Sequence, residues 1–309
     1  MCEIDIIIPT TGKRPQQLLE CLNSLQKQTL QVNIVLVFGT QTQWNEAKLH
    51  QFLNNYNYTV LYEPHKKTHG NRAIACNYGL QNTHHQFTAF LDDDTTVPPT
   101  WAETSLKYFT DPSVAGVTSG CNPSTSPFHL VQTIGSDAHS NTFTSPTPVE
   151  SIPGYNSIYL RKTIDLIGGF DERLGSCEDW ELNYRLRKAG YILLGIPELP
   201  AEHRHTYTIL SFAKQMFSYG WGRAQLLRKV HIFTPQHALP TAGLLTLLIL
   251  LFLNPIFFLD GVAIYILILT GITAFKLKTH SLKSLLQIIF TFMLMHTSWA
   301  IGYLKGLID

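Results

Sequence analysis

The sequence predicts an α/β domain with a mainly parallel, doubly wound sheet, followed by helices that cross a membrane. Two observations support this fold class. Short apolar runs alternate with helix-like segments as far as Leu91. Within 239–275 and 285–304 the chain carries only Asp260 and His296 among Asp, Glu, Lys, Arg and His. Alternating strands and helices form right-handed crossovers and a parallel sheet, and about 20 apolar residues in a helix cross the hydrocarbon core.

The strand and helix pattern repeats through the first hundred residues. Apolar runs at 4–8, 34–38, 60–62 and 87–91 predict strands, and the segments 14–28, 46–54 and 71–81 between them predict helices. Ligands of such sheets bind beyond the carboxyl ends of the strands. The segments that follow each strand are therefore the candidates for a functional site.

The second half of the domain begins with an irregular segment. Residues 121–153 are rich in Ser, Thr and Pro and show little periodicity, which predicts a long excursion across the surface. Regular structure is expected again at 159–167, in a helix over 178–189, in a strand over 191–194 and in a helix over 210–230.

The apolar C-terminal segment predicts a membrane anchor of about three spans, at 239–258, 261–275 and 285–304. We therefore expect a soluble domain over 1–235, with halves 1–100 and 101–235, and an anchor over 236–309. Basic residues precede the first span and separate the second from the third, whereas the turn expected around Asp260 has none. The positive-inside rule then places the soluble domain in the cytoplasm and the C-terminus outside. Because the second span is short, a membrane hairpin is the competing arrangement.

Charge and cysteine content exclude several classes of protein. The net charge is +1 and no run of five basic residues occurs, so we do not expect nucleic acid as a partner. The first residues are acidic and the first apolar run is too short for a signal peptide. The five cysteines include no CxxC pair, which argues against a disulfide framework and a zinc site and indicates reduced, mostly buried thiols.

Three carboxylates, Asp92, Asp93 and Asp94, directly follow the strand predicted at 87–91. Their mutual repulsion is costly unless a cation is present, and Mg²⁺ or Mn²⁺ is commonly shared between carboxylates and a substrate phosphate. A solvated acidic turn is the alternative. The position at the carboxyl edge of the sheet favours a metal site.

Glu178 and Asp179 open a predicted helix, where the helix dipole favours carboxylates. They follow Gly168-Gly169-Phe170-Asp171-Glu172 and lie in the string EDWELNYRLRKAGY. With the Pro-terminated first strand and the DDD string, this order of motifs resembles the family 2 glycosyltransferases of GT-A fold over nearly all of residues 4–230. Within that family, EDWELNYRLRKAGY and QMFSYGWGRAQLLRK (215–229) are similar to transferases of succinoglycan-type exopolysaccharide assembly.

The resemblance implies a role for each matching residue. It implies Asp179 as general base with Glu178 beside it, Asp94 with Asp92 on the metal, and Asp92 also at the donor ribose. Pro9, Thr10, Phe38, Arg72, Asp93 and Arg223 would contact the nucleotide diphosphate, and Gly154, Asn156, Trp180, Gln215 and Trp221 would line the sugar and acceptor pocket. Arg223 is suited to phosphate by its bidentate geometry, although a juxtamembrane contact with lipid head groups is the alternative.

Two positions depart from the family pattern. Phe38 stands near the place where the family usually has an acidic residue, and Phe38 could stack on a base instead. The family's ARN string appears as Ala75-Cys76-Asn77, so cysteine stands in place of its arginine. Arg72 lies one helical turn earlier and could replace that arginine on the same helix face, or it could be an ordinary solvated arginine.

For His203 and His205 we expect packing or acceptor contacts in preference to zinc, because no CxxC or HExxH string is nearby.

The resemblance implies an inverting sugar transfer from a nucleotide-diphosphate sugar, with Mg²⁺ or Mn²⁺, to a membrane-associated and polyprenyl-linked saccharide. The enzyme would be a multi-pass protein of a bacterial-type cell membrane. One alternative is a catalytically degenerate membrane protein that binds a nucleotide sugar without turning it over. Another is a metal-dependent nucleotidyltransferase, which would release pyrophosphate.

Overall fold

The computed structural model describes residues 4–39, 54, 58–63, 71–122, 126–135, 143–203, 207–277 and 281–309. Within them the chain forms two compact units. The first comprises residues 1–122 and 137–205, and the second comprises 123–136 and 206–309. The helix predicted at 46–54, except Asn54, and His205 lie outside the described residues.

The first unit is built on a mixed eight-stranded sheet. Its strands are β1 (Ile4–Thr10), β2 (Asn33–Phe38), β3 (Tyr58–Tyr62), β4 (Phe87–Leu91), β6 (Val114–Thr118), β7 (Thr147–Pro148), β8 (Asn156–Leu160) and β9 (Ile192–Gly195), in the order β3-β2-β1-β4-β8-β6-β9-β7. The pairs β1/β2, β2/β3, β1/β4 and β6/β9 are parallel. The strand β8 is antiparallel to β4 and β6. The strand β7 is antiparallel to β9. The prediction of an α/β fold is therefore confirmed, with four parallel and three antiparallel strand pairs in a mixed sheet.

Helices cover both faces of this sheet. Successive side chains of a strand point to opposite faces, so each strand contributes apolar residues to two cores. Among the described residues of this unit the helices are α1 (Pro15–Leu25), α2 (Arg72–Gln81), α3 (Trp101–Leu106) with a 3₁₀ turn (Lys107–Thr110), α5 (Arg161–Leu166) and α6 (Glu178–Lys188). Ile6 of β1 packs in one core with Leu22 of α1, and Ile7 packs in the other with Leu182 of α6. Each such buried leucine contributes about 1.5–3 kcal/mol, so the two cores fix the sheet between its helices.

A small second ladder closes the carboxyl edge of the sheet. The two-residue strand β5 (Thr95–Thr96) pairs antiparallel with β10 (Glu202–His203). The register places His203 opposite Thr95, one residue beyond the carboxylates that follow β4.

The second unit is helical. It contains α4 (Pro127–Gly135), α7 (Ile209–Val230), α8 (Pro235–Leu253), α9 (Pro255–Leu277) and α10 (Leu282–Ile308). The helix α4 lies within the segment 121–153, so the prediction of an irregular excursion is wrong at that point. By length and apolar composition, α8, α9 and α10 are candidate membrane spans.

The boundaries of the apolar helices differ from those expected. The break between the first two falls at Asn254, and Asp260 lies inside α9, where a turn was predicted. Pro255 explains the break, because proline disfavours a helical conformation of the residue before it and is well suited to begin a helix. The packing boundary before α7 also differs from residue 235, since α7 belongs to the second unit. Where the anchor itself begins remains a prediction.

Candidate active site

The carboxylates that follow β4 point in different directions. The side chain of Asp92 is 31% exposed, whereas those of Asp93 and Asp94 are 2% and 1% exposed. Asp93 accepts a hydrogen bond of 2.5 Å from the Thr10 hydroxyl at the end of β1. Burial raises the pKa of Asp93, although Arg14 and the bond from Thr10 oppose that rise. Asp93 is therefore held by β1 and α1.

Arg14 is a cation of this cluster that sequence reasoning missed. Its guanidinium forms an ion pair of 2.5 Å with Asp93 and a second ion pair with Asp94. Arg14 directly precedes α1, and Pro15 at the first helical position fixes the entry of that helix. The guanidinium offsets the repulsion between two buried carboxylates.

Asp92, Asp94 and His203 form a group that can hold a metal ion. One ligand atom of each lies within 4.8 Å of the others. His203 Nε2 lies 3.1 Å from Asp94 Oδ1, and the ring of Tyr155 stacks on the imidazole at 4.4 Å between ring centroids. Two carboxylates and one imidazole suit Mn²⁺ or Mg²⁺, and nitrogen favours the first. The structure thus assembles a site to which sequence reasoning did not assign His203.

Burial and neighbouring charges shift the pKa of His203 in opposite directions. Burial lowers the pKa of the imidazole, but the hydrogen bond and charge of Asp94, with the charge of Asp92, outweigh it and raise the pKa above the ordinary value. A metal ion competes with that proton for the ring nitrogen.

Arg72 connects the carboxylates after β4 with those of α6. Its guanidinium donates to the Gly154 carbonyl at 2.6 Å and lies 3.3 Å from both Asp92 Oδ1 and Glu178 Oε1. The side chain is 22% exposed, so the expectation of an ordinary solvated arginine is not met. Asn71 caps α2 through hydrogen bonds to the Ala73 and Ile74 amides, which places Arg72 at the site end of that helix.

Glu178 and Asp179 occupy the first turn of α6. The residue before them, Cys177, is left-handed at φ 64°, a strained conformation for a residue with a side chain. Asp179 Oδ2 accepts the Gly154 amide at 2.9 Å, and Oδ1 accepts the Trp180 amide at 2.7 Å. These bonds orient the carboxylate while each oxygen retains a further lone pair.

Burial, together with the neighbouring charge of Asp179, raises the pKa of Glu178, and Arg72 opposes that rise. Glu178 therefore keeps a proton to higher pH than an ordinary glutamate. Its side chain is 10% exposed and directed at Arg72. The pair of adjacent carboxylates is thus held in two different environments.

Two of the predicted substrate-contact residues are buried within the first unit. Phe38 is fully buried in the core and stacks at 5.6 Å on Tyr62, which is 44% exposed; a contact of Phe38 with a base remains a prediction. Asn156 is also fully buried; it donates to Gly120 O and Ser119 Oγ and accepts from Trp101 Nε1. Asn156 therefore links β8 to α3 and to the segment after β6, and its contact with a sugar remains a prediction.

Four other residues predicted to contact the substrates lie in the first unit: Pro9, Thr10, Gly154 and Trp180. Pro9 and Thr10 end β1 beside the carboxylates, and Gly154 offers its backbone to Arg72 and Asp179. A Cβ at Gly154 would lie 2.7 Å from Arg72 Nη1, so a larger residue there would displace the Arg72 guanidinium. Trp180 stacks on Tyr184 at 5.8 Å. Their contacts with a substrate remain predictions.

Gln215, Trp221 and Arg223 lie on α7 in the second unit. Gln215 Nε2 donates to the Tyr219 hydroxyl at 2.9 Å, and Trp221 Nε1 donates to Asp309 Oδ2 at 3.1 Å. Their predicted contacts with donor and acceptor are not tested by these bonds and remain predictions.

The chain matches known families along most of its length. Residues 5–168, more than half of the chain, match the family described as "Glycosyl transferase family 2", and residues 87–304 match "Glycosyl transferase family group 2". It is 30% identical over 174 residues to pre-mycofactocin glycosyltransferases of two Mycobacterium tuberculosis strains. That similarity covers 54% of this chain and 36% of each relative, so the chain spans about a third of the length of these curated relatives.

Solved structures share the fold. The mannosyltransferase PcManGT of Pyrobaculum calidifontis, in complex with GDP-Man and Mn²⁺, has a TM-score of 0.66 at 16% identity over 99% of this chain and 87% of its own. TarS of S. aureus (1–349) with UDP-GlcNAc has a TM-score of 0.52 at 16% identity over 98% and 92%. GalNAc-T7 with UDP, GalNAc and Mn²⁺ has a TM-score of 0.56 at 14% identity over 74% and 48%.

These likenesses confirm the GT-A fold that the motifs imply. The narrower resemblance to exopolysaccharide transferases remains a prediction. The carboxylate, imidazole and arginine groups at the carboxyl edge of the sheet agree with the family match. Because more than half of its length matches the family model, the chain belongs to family 2 of the glycosyltransferases.

Proposed function

We propose that the protein transfers a sugar, with inversion, from a nucleotide-diphosphate donor to a saccharide acceptor held at a membrane. The observation that carries this proposal is the arrangement within the first unit. Arg72 ties the metal-binding carboxylate Asp92 to Glu178, and Gly154 ties Arg72 to Asp179. Asp92, proposed to act at the donor diphosphate, and Asp179, the candidate base, are thus connected through Arg72 and Gly154.

The metal-binding residues fit a divalent cation by their chemistry. Asp94 Oδ1 and His203 Nε2 lie 3.1 Å apart, and together with Asp92 they offer two carboxylate ligands and one imidazole ligand within 4.8 Å of one another. When bound by Asp92, Asp94 and His203, a divalent cation supplies positive charge to the diphosphate of the donor. Mn²⁺ accompanies the nucleotide or sugar in two of the structural neighbours, PcManGT and GalNAc-T7.

Asp179, in the first turn of α6, is the proton acceptor of the reaction. Asp179 accepts the proton of the acceptor hydroxyl as the acceptor oxygen bonds to the anomeric carbon of the donor sugar. The bond between that carbon and the phosphate oxygen breaks on the opposite face, and the nucleoside diphosphate leaves with the electron pair. A positioned carboxylate contributes about 10²- to 10⁴-fold in rate by such proton transfer.

Membrane association supports a membrane-held acceptor. Three helices are long and apolar enough to cross a bilayer, and a soluble acceptor would need no such anchor. The proposal includes a polyprenyl-linked saccharide as acceptor, a role in polysaccharide synthesis, several crossings of the membrane and a cytoplasmic catalytic unit. The basic residues Arg228 and Lys229 before α8 support the last point through the positive-inside rule.

Thermal stabilisation by nucleotide sugars tests the donor and metal together. The full chain in detergent is melted with a panel of nucleotide sugars, each with and without Mn²⁺. We expect one donor class to raise the melting temperature only with Mn²⁺, and Asp94→Asn to abolish the rise because an amide does not balance the charge of the cation. The matched control Asp111→Asn, at an exposed turn, keeps it.

The products then identify the reaction. Incubation with acceptor-containing membranes is expected to release a nucleoside diphosphate. Release of pyrophosphate would indicate a nucleotidyltransferase, and donor binding without any release would indicate a degenerate binding protein. Donor stabilisation that is equal with and without Mn²⁺ would contradict the metal assignment.

A further inference from the structure

The helices α7 and α10 touch at the level of their backbones. A Cβ added to Gly220 of α7 would collide with the Trp299 carbonyl of α10, and a Cβ added to Gly302 would collide with the Phe217 carbonyl of α7. At Gly306 a Cβ would lie 2.5 Å from the Trp221 carbonyl. Small residues that let two backbones approach in this way make a tight helix pair. We call this contact the glycine seam.

The two helices run in the same direction along their length. Phe212 and Met216, early in α7, share a core with Ile288 and Met295 of α10. Further along, Gly220 meets Trp299, and at the end Trp221 donates to Asp309, the last residue, at 3.1 Å. Because the pairing is parallel and close, α7 and α10 must lie at the same depth relative to any bilayer.

The charge of α7 excludes it from the bilayer core. Within its 22 residues it carries Lys214, Arg223, Arg228 and Lys229. Charged side chains at the centre of a bilayer are costly and are rare in spanning helices. A helix bound along α7 cannot cross the hydrocarbon core unless α7 crosses with it.

The outer face of α10 is apolar along a single stripe. Its most exposed apolar side chains lie on one side of the helix: Leu282, Leu286, Phe290, Met293, Ile301 and Ile308. The first four recur every three or four residues, and the last two lie seven residues apart, which is about two helical turns. In the apolar windows of α8 and α9, 6% and 11% of residues are buried within the protein, against 39% in that of α10. The apolar stripe can therefore lie in lipid while the opposite face of α10 packs on protein, and the charge of α7 decides the depth at which it does so.

The distribution of basic residues agrees with two crossings. No Lys or Arg occurs from His231 to Phe275, which covers α8 and most of α9. Arg228 and Lys229 precede this stretch, and Lys276, Lys278, Lys283 and Lys305 follow it. Two crossings leave all of these residues on one side, as the positive-inside rule favours, whereas a third crossing would carry Lys305 to the other side.

We infer that α10 does not cross the membrane. The helices α8 and α9 form a two-pass hairpin with its turn at Asn254, and the seam of α7 and α10 lies at the membrane surface with the apolar stripe of α10 in the lipid. Asp309 is then on the same side as Lys214. This replaces the expectation of three spans with an external C-terminus, and it rests on the membrane association that the proposed function includes.

Thiol labelling of single-cysteine additions tests the topology in the full chain. The second unit contains no native cysteine, so Lys214→Cys, Asn254→Cys and Asp309→Cys are each compared with the parent as blank. Intact and permeabilised cells are treated with a membrane-impermeant maleimide. We expect positions 214 and 309 to be labelled from one side and position 254 from the other.

Each other outcome has a defined meaning. Labelling of 309 from the same side as 254 restores three spans and overturns the inference, and labelling of all three from one side overturns the hairpin. If 214 and 309 are external and 254 is internal, the inference stands and the cytoplasmic placement in the proposed function fails. Loss of transferase activity in any variant bears on neither result.

Cross-linking identifies what covers the apolar stripe. A photoreactive phenylalanine analogue is placed at Phe290, which is 52% exposed, and in the control at Phe292, which is 3% exposed. Irradiation in membranes is expected to yield lipid adducts at position 290 and not at 292. A cross-link at 290 to a second copy of the chain, without lipid adducts, would overturn the lipid as occupant.

Discussion

Replacing Arg72 by glutamine removes the cation that connects the two carboxylate groups of the site. The side chain loses one hydrogen bond of 2.6 Å to Gly154 and two contacts of 3.3 Å to Asp92 and Glu178. Removing one partner of a buried ion pair costs about 3–5 kcal/mol. Because Asp92 is 31% exposed, solvent screening reduces this to about 2–3 kcal/mol.

This loss is measurable as a shift in melting temperature. At roughly 2–4 °C per kcal/mol, the midpoint of Arg72→Gln is expected to fall by about 4–12 °C. Arg72→Lys keeps the charge but not the fork geometry and is expected to lose less. Arg173→Gln is the matched control, because Arg173 is 64% exposed and pairs with Asp171 at the surface, where ion pairs contribute little.

The dependence on pH gives a second readout. Burial raises the pKa of Glu178 and Arg72 lowers it, so the variant raises it further. A carboxyl group whose pKa is higher in the folded state destabilises the fold as pH rises through that pKa. The gap between parent and variant should therefore widen with rising pH and narrow in acid, where Glu178 is protonated in both. A midpoint that equals that of Arg173→Gln at every pH would refute the role of Arg72.

Three further predictions concern Arg14, the glycine seam and the thiols. Arg14→Gln should strengthen Mn²⁺ binding without nucleotide in calorimetry, because Arg14 pairs with the ligand Asp94; weaker binding would contradict this competition. Gly302→Ala should cost about 1–3 kcal/mol by overpacking, seen as a lower midpoint, whereas Gly243→Ala, with open space around it, should not. Burial, opposed by Arg72, raises the pKa of Cys76 to about 12, so mass spectrometry should find Cys76 unmodified by maleimide at neutral pH until the chain unfolds; labelling of the folded protein would contradict its burial.

Local sequence patterns predicted the elements that depend on local physics. The apolar run before the three aspartates forms β4 at the predicted residues, and the carboxylates of 178–179 open α6 as the helix dipole favours. Cys21, Cys76 and Cys177 are buried, as expected for most of the thiols, and their reduced state remains a prediction.

The features that were missed depend on contacts between distant residues. His203 reaches Asp94 through a ladder of two residues with Thr95 and Thr96, too short to leave a periodic signal. The burial of Phe38 and Asn156 follows from side-chain directions that only the assembled sheet determines. The break at Asn254 had an available signal, the Asn-Pro pair, but hydropathy remains high on both sides of it.

The transfer rate of Asp179→Asn shows directly whether this site transfers a sugar with Asp179 as base. Asparagine keeps the shape of the side chain and can still accept a bond from the Gly154 or Trp180 amide, but it cannot take a proton. With the donor found by thermal stabilisation and saturating Mn²⁺, we expect near-normal donor binding, a maximal rate lower by about 10²- to 10⁴-fold, and a smaller loss for Glu178→Gln. A variant that binds donor and retains more than about a tenth of the parent rate, above what loss of such a base allows, would contradict it.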